Sequence, residues 1–340
     1  MQPSLLDTAR STTEQIFEVV RTVSRETPLL TSAALDEIAG CRLFVKAESL
    51  QHTGSFKLRG AFFRLKNLDP AERRNGVVAY SSGNFAQGLA RAGQVLGVPV
   101  TIVMPPEVPQ MKVLGTQRYG ARVVFAKPDG RPREVIAAET AANLAESEQL
   151  ALLHPFNDSD VVLGHSSLGT EFLQQLEAIG EGRPLDTLLV PAGGGGLAAG
   201  IAVALRAHGS TTRLIAVEPA GYDDLARSLA AGERRRNETP SATLCDALQA
   251  VSPGALPFSV LQHTHCSALD VSDAEVKAAM RAALECLKLV LEPSGASALA
   301  AALAAKRHAL DLGGRVGVVC SGGNIAAEDF ARLIAQEPVH

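Results

Sequence analysis

Short apolar runs alternate with long Ala-, Leu- and Arg-rich segments along most of this 340-residue chain. Seven runs are rich in β-branched residues, and most of them end at Gly, Ser or Pro: CRLFVKAE, NGVVAYSS, PVTIVMP, ARVVFAK, TLLVPAG, RLIAVEP and RVGVVCSGG. Such runs are typical of parallel strands that are buried on both faces. The segments between them, such as AQGLARAGQVLG, PREVIAAETAANLAESEQL and VKAAMRAALECLKLV, are typical of helices. This repeated alternation predicts an α/β fold with open, doubly wound, mostly parallel sheets.

The alternation divides into two blocks, as expected for a chain too long for one small core. We predict a smaller domain over residues 76–157, with strands near positions 77, 100 and 122. Residues 1–75 and 158–340 would form a larger domain. Because ligands of open α/β sheets bind at the carboxyl ends of the strands, the loops at those ends are the candidate sites.

Composition argues against several classes of partner. The net charge is −4, aromatic residues make up 4% of the chain and Trp is absent, so we expect no nucleic-acid binding. No apolar run approaches the roughly 20 residues that a membrane helix needs, and the N-terminus lacks the pattern of a signal peptide. The five cysteines are odd in number and show no paired spacing. We therefore expect a cytoplasmic protein that does not bind membranes.

The loop VPAGGGGLAAG, residues 190–200, contains four consecutive glycines between a predicted strand and a predicted helix. Backbone N–H groups of such a loop can surround an anion, and the helix that follows adds its positive end. Gly193, Gly195 and Ala198 also match the dinucleotide fingerprint, and Glu218 ends the next strand where a ribose-binding acid belongs. The loop alone therefore leaves a dinucleotide, another phosphate or a ligand-free turn open.

Two further strand-end loops carry polar side chains. SSGNFAQGLA, residues 81–90, places Ser81, Ser82 and Asn84 at the start of a helix, an arrangement suited to a substrate carboxylate. SGGN, residues 321–324, places Ser321 where its hydroxyl can donate to a ring nitrogen or a phosphate. Taken alone, the first loop is also explained by helix N-capping, and the second by a plain strand-to-helix turn.

The segment SFKLRG, residues 55–60, places Lys57 between Phe56 and Leu58 rather than in a run of charges. Most lysines are solvated surface groups. An amine of lowered pKa in an apolar site is, however, what Schiff-base chemistry with a carbonyl compound requires.

Together, SFKLRG, SSGNFAQG, GGGGLAAG and SGGN have the order and approximate spacing of the fold-type II pyridoxal-phosphate enzymes. The chain most resembles their serine/threonine dehydratase and serine racemase branch, from Thr27 to Asn324. This resemblance implies a tryptophan synthase β-like fold with the cofactor in the cleft between two domains. It also implies a small amino-acid substrate and a homo-oligomer, a dimer or a tetramer.

The resemblance further implies roles for single residues. Lys57 would bind the cofactor aldehyde and later transfer protons, and the Gly193–Gly196 amides would hold the 5′-phosphate. Phe56 would pack against the ring, Asn84 would bind its phenolic oxygen and Ser321 would face its nitrogen. The implied cofactor-binding residues are thus Phe56, Lys57, Asn84, Gly193, Gly194, Gly195, Gly196 and Ser321.

The implied substrate-binding residues are Ser81, Ser82, Asn84 and Phe85. The implied reaction is β-elimination from a β-hydroxy amino acid such as L-threonine or L-serine, which gives a 2-oxo acid and ammonia. Amino-acid racemisation is the alternative, with Ser82 as the second catalytic proton donor opposite Lys57. An NAD-dependent oxidoreductase is a distant alternative that explains one loop of four and leaves Lys57 without a role.

Relatives that bind a divalent cation have ligands at the segment written here EPAGYDD. The resemblance then implies Mg²⁺ or Mn²⁺ on Glu218, Asp224 and the carbonyl of Tyr222, with a solvated acidic turn as the alternative.

No fourth metal-ligating residue accompanies His263, His265 and Cys266 at the spacing of a zinc site. We therefore interpret these residues as a polar connecting segment.

Two departures from the family pattern concern the substrate. Phe85 stands where the family usually has His, and GHSSLGT, residues 164–170, differs from the usual Gly-Gln-Gly-Thr. A bulkier or modified β-hydroxy amino acid is therefore a second substrate option.

Overall fold

The computed structural model describes residues 5–131, 133–179, 183–238 and 241–335. Within these residues, ten strands form two separate sheets. The strands are β1 (Leu29–Leu30), β2 (Arg42–Ala47), β3 (Val77–Tyr80), β4 (Val100–Met104), β5 (Arg122–Phe125), β6 (Ala151–Leu152), β7 (Thr187–Pro191), β8 (Arg213–Pro219), β9 (Ser267–Val271) and β10 (Arg315–Cys320).

The α-helices of the described residues are α1 (Arg10–Val20), α2 (Ala33–Ala39), α3 (Lys57–Lys66), α4 (Pro70–Asn75), α5 (Asn84–Leu96), α6 (Gln110–Gln117), α7 (Arg133–Glu148), α8 (Ser159–Ala178), α9 (Gly196–Ala207), α10 (Asp224–Ala231), α11 (Ala255–His263), α12 (Asp273–Ala282), α13 (Pro293–Ala304) and α14 (Ala327–Ala335). Short 3₁₀ helices cover Leu5–Asp7, Glu48–Leu50 and Asp246–Leu248, and Ala283–Leu287 form a π-helical turn. None of these helices is both long and apolar enough to cross a membrane.

The larger sheet has the strand order β1-β2-β10-β7-β8-β9. β1 pairs antiparallel with β2, and the other neighbours are parallel. Helices α2, α12, α13 and α14 pack on one face, and α8, α9 and α11 pack on the other. Both faces are therefore covered, which explains why strands β2, β7, β8 and β10 are buried almost throughout rather than at alternate positions.

The smaller sheet is entirely parallel and has the order β5-β4-β3-β6. All four strands lie inside the predicted 76–157 segment. Helices α3 and α5 pack on one face of this sheet, and α7 packs on the other. Because α3 precedes residue 76 in the chain, the smaller sheet also packs against a helix that we assigned to the larger domain.

The seven predicted strands correspond to β2, β3, β4, β5, β7, β8 and β10. From its composition, the segment VKAAMRAALECLKLV is predicted to be one continuous helix, but the structure interrupts it. Its α-helical part ends at Ala282, a π-helical turn follows, and Lys288 with φ of 59° ends the element. The two-residue strands β1 and β6 were not predicted because two residues carry no periodic pattern.

The topology fixes the position of the candidate site. Strands β3, β7 and β10 end at Tyr80, Pro191 and Cys320, directly before the three predicted strand-end loops. The carboxyl ends of both sheets open onto the same cavity, as the rule for open α/β sheets predicts.

Candidate active site

A cavity of about 430 Å³ lies between the carboxyl ends of the two sheets. Its lining contains every residue predicted to bind the cofactor or the substrate, namely Phe56, Lys57, Ser81, Ser82, Asn84, Phe85, Gly193, Gly194, Gly195, Gly196 and Ser321. These residues come from four segments that are far apart in sequence. Their convergence on one concave space with apolar walls and several polar groups is the usual form of a small-molecule site.

Lys57 is the first residue of α3 and lies between two aromatic rings. Its Nζ is 5.0 Å from the ring centre of Phe56 and 5.7 Å from that of Phe85. It donates a hydrogen bond of 3.1 Å to the carbonyl of Pro155. Burial lowers the pKa of the Lys57 amine to about 8. A much larger fraction of this amine than of an ordinary lysine is therefore uncharged and nucleophilic near neutral pH.

A buried ionic cluster holds the start of α3 in place. Arg59, two residues after Lys57, contacts Glu48 at 2.8 Å and Glu171 at 2.9 Å, and Lys46 contacts Glu171 at 2.5 Å. These four side chains are at most 2% exposed. The cluster ties α3 to the end of β2 and to α8, and its charges are costly to bury unless all are paired.

The glycine loop packs too closely for side chains. A Cβ at Gly194 would lie 2.3 Å from the ring of Phe156, and one at Gly196 would lie 2.8 Å from Phe156 Cβ. Gly195 has φ of 84°, in the left-handed region that favours glycine. Because α9 begins at Gly196, its unpaired amides and positive dipole end point toward this loop. The loop is thus a ready anion site.

The loop before α5 is the second candidate for an anion site. The backbone N–H of Ser81 bonds to the carbonyl of Val103, and Ser81 Oγ accepts a hydrogen bond of 3.4 Å from the N–H of Gly83. Gly83 is the N-cap residue, so the first turn of α5 starts at Asn84. The hydroxyls of Ser81 and Ser82 lie beside this helix start, where an anionic group is favoured.

Asn84 belongs to a hydrogen-bond network that sequence reasoning missed. Its Nδ2 donates to Glu292 Oε1 at 2.5 Å, and its Oδ1 accepts from Asn324 Nδ2 at 2.7 Å. Burial, and then the negative charge of Asp246, raise the pKa of Glu292 to about 8. Glu292 lies in the segment LEPSGA, residues 291–296, whose sequence alone does not indicate this contact.

Ser321 is 5% exposed and follows β10. Its carbonyl accepts a hydrogen bond of 3.2 Å from the N–H of Phe56. This bond fixes Phe56 beside the Ser321 loop, so both line the same part of the cavity.

The predicted cation ligands lie away from the cavity lining. Glu218 accepts hydrogen bonds from the N–H groups of Leu225 and Ala226 at 2.8 and 2.9 Å, so its carboxylate caps α10. Because both carboxylate oxygens of Glu218 accept these hydrogen bonds, the geometry does not favour a ribose-binding role for Glu218. Asp224 accepts from Asn237 Nδ2 at 2.5 Å, and its Oδ2 is buried with no hydrogen-bond partner among the described residues. Burial raises the pKa of Glu218 to about 8 and that of Asp224 to about 6.

Tyr222, the third predicted ligand, lies in the turn that follows β8, where its N–H bonds to the carbonyl of Pro219. Among the described residues, no group of three or more His, Cys, Asp and Glu side chains is arranged to hold a metal ion. His263 Nδ1 instead contacts the carbonyl of Ser259 at 2.7 Å, within its own helix α11.

Comparison with known proteins gives a consistent result. The family model described as pyridoxal-phosphate dependent enzyme matches residues 20–322. An L-threo-3-hydroxyaspartate ammonia-lyase from Pseudomonas sp is 41% identical over 92% of this chain and 93% of that protein. A serine racemase from Dictyostelium discoideum is 34% identical over 91% of this chain and 92% of that protein.

Among solved structures, a threonine deaminase from T.th. superposes with a TM-score of 0.85 at 39% identity, covering 94% of this chain and 99% of that one. The predicted fold, two mostly parallel sheets arranged as in fold-type II enzymes, is thereby confirmed. With a family match over most of its length and relatives well above 30% identity, this chain belongs to the pyridoxal-phosphate-dependent enzymes.

Proposed function

We propose that this chain is an ammonia-lyase that uses pyridoxal phosphate to remove the β-hydroxyl and the amino group of a β-hydroxy amino acid. The observation that carries the proposal is the position of Lys57: an amine of lowered pKa faces a cavity with two separate anion cradles. One cradle suits the phosphate of the cofactor and the other suits the carboxylate of the substrate. Relatives named as ammonia-lyases support the same reaction.

The residues around the cavity fit pyridoxal phosphate. The Gly193–Gly196 loop would hold the phosphate, because its glycines leave the amides open while Phe156 covers the other side. Lys57 would bind the aldehyde and Phe56 would pack against the ring. Asn84 would bind the phenolic oxygen, and Ser321 would face the ring nitrogen. When bound, the cofactor supplies an electron sink for the electrons of the Cα–H bond.

The remaining steps use side chains of this chain. The substrate carboxylate would lie at the start of α5, held by Ser81, Ser82, Asn84 and the amides up to Phe85. Once the substrate amine replaces it on the aldehyde, Lys57 Nζ would be released and, in the uncharged form that its lowered pKa favours, would take the α-proton. The same proton, delivered to the β-hydroxyl as its bond to carbon breaks, would let it leave as water and give an enamine, which reacts with a second water to give the 2-oxo acid and ammonia.

Racemisation is the second candidate, and one observation favours it. Ser82 lines the same cavity as Lys57, so two proton-transfer groups are available to one substrate. If they face opposite sides of Cα, Ser82 can return a proton to the side from which Lys57 did not take it. The relative named serine racemase supports this candidate.

A divalent cation, Mg²⁺ or Mn²⁺, is part of the proposal at Glu218, Asp224 and the Tyr222 carbonyl. The buried, unpartnered Oδ2 of Asp224 supports it, since an oxygen without a donor is a suitable cation ligand. Thermal unfolding with and without millimolar Mg²⁺ tests it, with Asp224→Asn as the variant that should lose any shift.

We retain three further proposals. Residues 76–157 would act as the unit that clamps the substrate, since they carry the Ser81–Phe85 loop. The chain would form a dimer or tetramer, which sedimentation would check. A cytoplasmic location agrees with five cysteines that are all free among the described residues.

A panel of β-hydroxy amino acids, scored for 2-oxo acid and ammonia, tests the proposed reaction. It should contain L-threonine, L-serine, 3-hydroxyaspartate and a bulkier aromatic member, each also scored for loss of optical purity. We expect at least one member to yield equal amounts of both products in a pyridoxal-phosphate-dependent way. Optical loss without 2-oxo acid would make racemisation the main activity, and no turnover of any member would contradict the proposal.

A further inference from the structure

One short loop contacts several parts of the candidate site. Residues 154–157, His-Pro-Phe-Asn, connect β6 of the smaller sheet to α8 of the larger one, and we refer to them as the 154–157 loop. The carbonyl of Pro155 accepts the hydrogen bond of Lys57 Nζ at 3.1 Å. The ring of Phe156 lies against Gly194, and the Cβ and backbone of Phe156 lie against Gly196. The loop therefore touches both the amine and the proposed phosphate cradle.

The last residue of the loop, Asn157, contacts helix α11 of the larger domain. Asn157 Oδ1 accepts a hydrogen bond of 3.0 Å from the N–H of Leu256, in the first turn of α11. The N–H of Gly254, the N-cap residue of α11, bonds to the carbonyl of Gly194. The loop, the glycine loop and the start of α11 thus form one connected set of contacts.

His154 determines the shape of this loop. The N–H groups of Phe156 and Asn157 both donate to its Nδ1, at 3.3 and 2.9 Å. Nδ1 can accept these bonds only while it carries no proton, so the ring is neutral with its proton on Nε2. Edge-on contacts with the rings of Phe156, at 4.5 Å, and Tyr80, at 6.2 Å, hold the imidazole in place.

The surroundings keep His154 in the accepting form. Among the described residues, the ionisable groups that face it are Lys57, Asp158 and Tyr80. Burial, and then the positive charge of Lys57, lower the pKa of His154 to about 4, against the smaller opposite effect of Asp158. The imidazole is thus an acceptor across the physiological pH range and carries no charge toward the cavity.

We propose that His154 is a positioning residue: through its unprotonated Nδ1 it shapes the 154–157 loop, which in turn orients the Lys57 amine and covers the glycine loop. This inference rests on the proposed roles of Lys57 and the glycine loop in binding pyridoxal phosphate. It assigns no proton transfer to His154. Its effect should appear first in cofactor affinity, because that affinity depends on both contacts of the loop.

Three substitutions at His154 distinguish the loss of the hydrogen-bond acceptor from the loss of the ring. In His154→Asn, the side-chain oxygen can occupy the place of Nδ1 and accept the same two amides. In His154→Gln, the side chain is longer and its polar end falls nearer to Nε2. His154→Ala removes both. His263→Ala is the matched control, because it removes another imidazole whose Nδ1 contacts a backbone group, here the carbonyl of Ser259, but which lies on α11 outside the cavity lining.

The measurement is the dissociation constant of pyridoxal phosphate, from equilibrium dialysis of the holoenzymes. Two lost hydrogen bonds predict about a tenfold weaker affinity for His154→Ala and His154→Gln, with His154→Asn and His263→Ala within about threefold of the parent. Equal loss for the Asn and Gln variants, or no loss for either, would overturn the inference. The Asn–Gln pair decides the outcome even if the Ala variant does not fold.

The proposed function is tested separately in the same series. If the parent protein binds pyridoxal phosphate and Lys57→Ala loses its visible band, the proposed site stands whatever the His154 variants do. If the parent binds no pyridoxal phosphate, the proposed function itself fails.

Discussion

Gly194→Ala should weaken the binding of pyridoxal phosphate through one identifiable contact. A Cβ at this position would lie 2.3 Å from two ring carbons of Phe156 and 2.5 Å from a third. These distances are far inside van der Waals contact, so either the ring or the glycine loop must move. The free protein can relieve the contact by such a shift, whereas the bound phosphate needs the loop in its native position. The cost should therefore appear in the binding equilibrium.

Overpacking of this kind costs about 1–3 kcal/mol. Since about 1.4 kcal/mol corresponds to a factor of ten, the dissociation constant should rise roughly 5- to 150-fold. In a Phe156→Ala background the ring is absent, and the same Gly194→Ala change should raise the dissociation constant by less than about threefold. Gly83→Ala, where nothing lies within 4 Å of the added Cβ, is the control in the other loop and should leave cofactor affinity within about twofold.

The assay is a titration of each protein with pyridoxal phosphate, followed by its visible absorbance, with circular dichroism as a check on folding. The four proteins, parent, Gly194→Ala, Phe156→Ala and the double variant, form a double-mutant cycle. An equal loss from Gly194→Ala in both backgrounds would refute the reasoning, because the ring would then have no part in the penalty. So would an unchanged affinity of the single variant.

Three other predictions concern the neighbouring residues. The rate at which Lys57 captures pyridoxal phosphate should rise with pH and reach half its maximum near pH 8 rather than near 10.5, because burial lowers the pKa of the amine. Stopped-flow absorbance measures this rate, and a half-maximum near pH 10 would contradict the prediction. Ser82→Ala should remove racemisation and largely retain elimination. Chiral chromatography of the recovered substrate measures the first activity and release of 2-oxo acid measures the second, and an equal loss of both would contradict the prediction. Arg59→Met should lower the free energy of unfolding by about 3–5 kcal/mol, because it leaves the buried carboxylates of Glu48 and Glu171 without their shared cation. Urea unfolding measures this free energy, and a change below about 1 kcal/mol would show that the cluster does not act as a unit.

Much of the candidate site could be predicted because its loops follow strand ends. The loops at Ser81, Gly193 and Ser321 each come directly after a run of buried strand residues, and the carboxyl ends of parallel strands lie on one edge of a sheet. Glycines and small polar residues at such ends carry a local signal. Lys57 had a weaker signal, an isolated cation between apolar residues, and gained its interpretation only from its order relative to the other three loops.

Contacts between distant segments left no such signal. Glu292 reaches Asn84 across 208 positions of sequence, and Asn324 reaches the same side chain across 240. The 154–157 loop begins after a two-residue strand, and its contacts with Lys57 depend on how the two sheets face each other. Pairings of this kind are set by tertiary packing rather than by spacing or periodicity, so a single sequence does not reveal them.

The most direct test of the central claim is the location of the cofactor on the chain. The holoenzyme, reduced with borohydride and digested, would be examined by mass spectrometry for the peptide that carries the pyridoxyl phosphate group. We predict the group on Lys57, and on no other lysine. A label on a different lysine, or a parent protein that gains no label after incubation with pyridoxal phosphate, would contradict this claim.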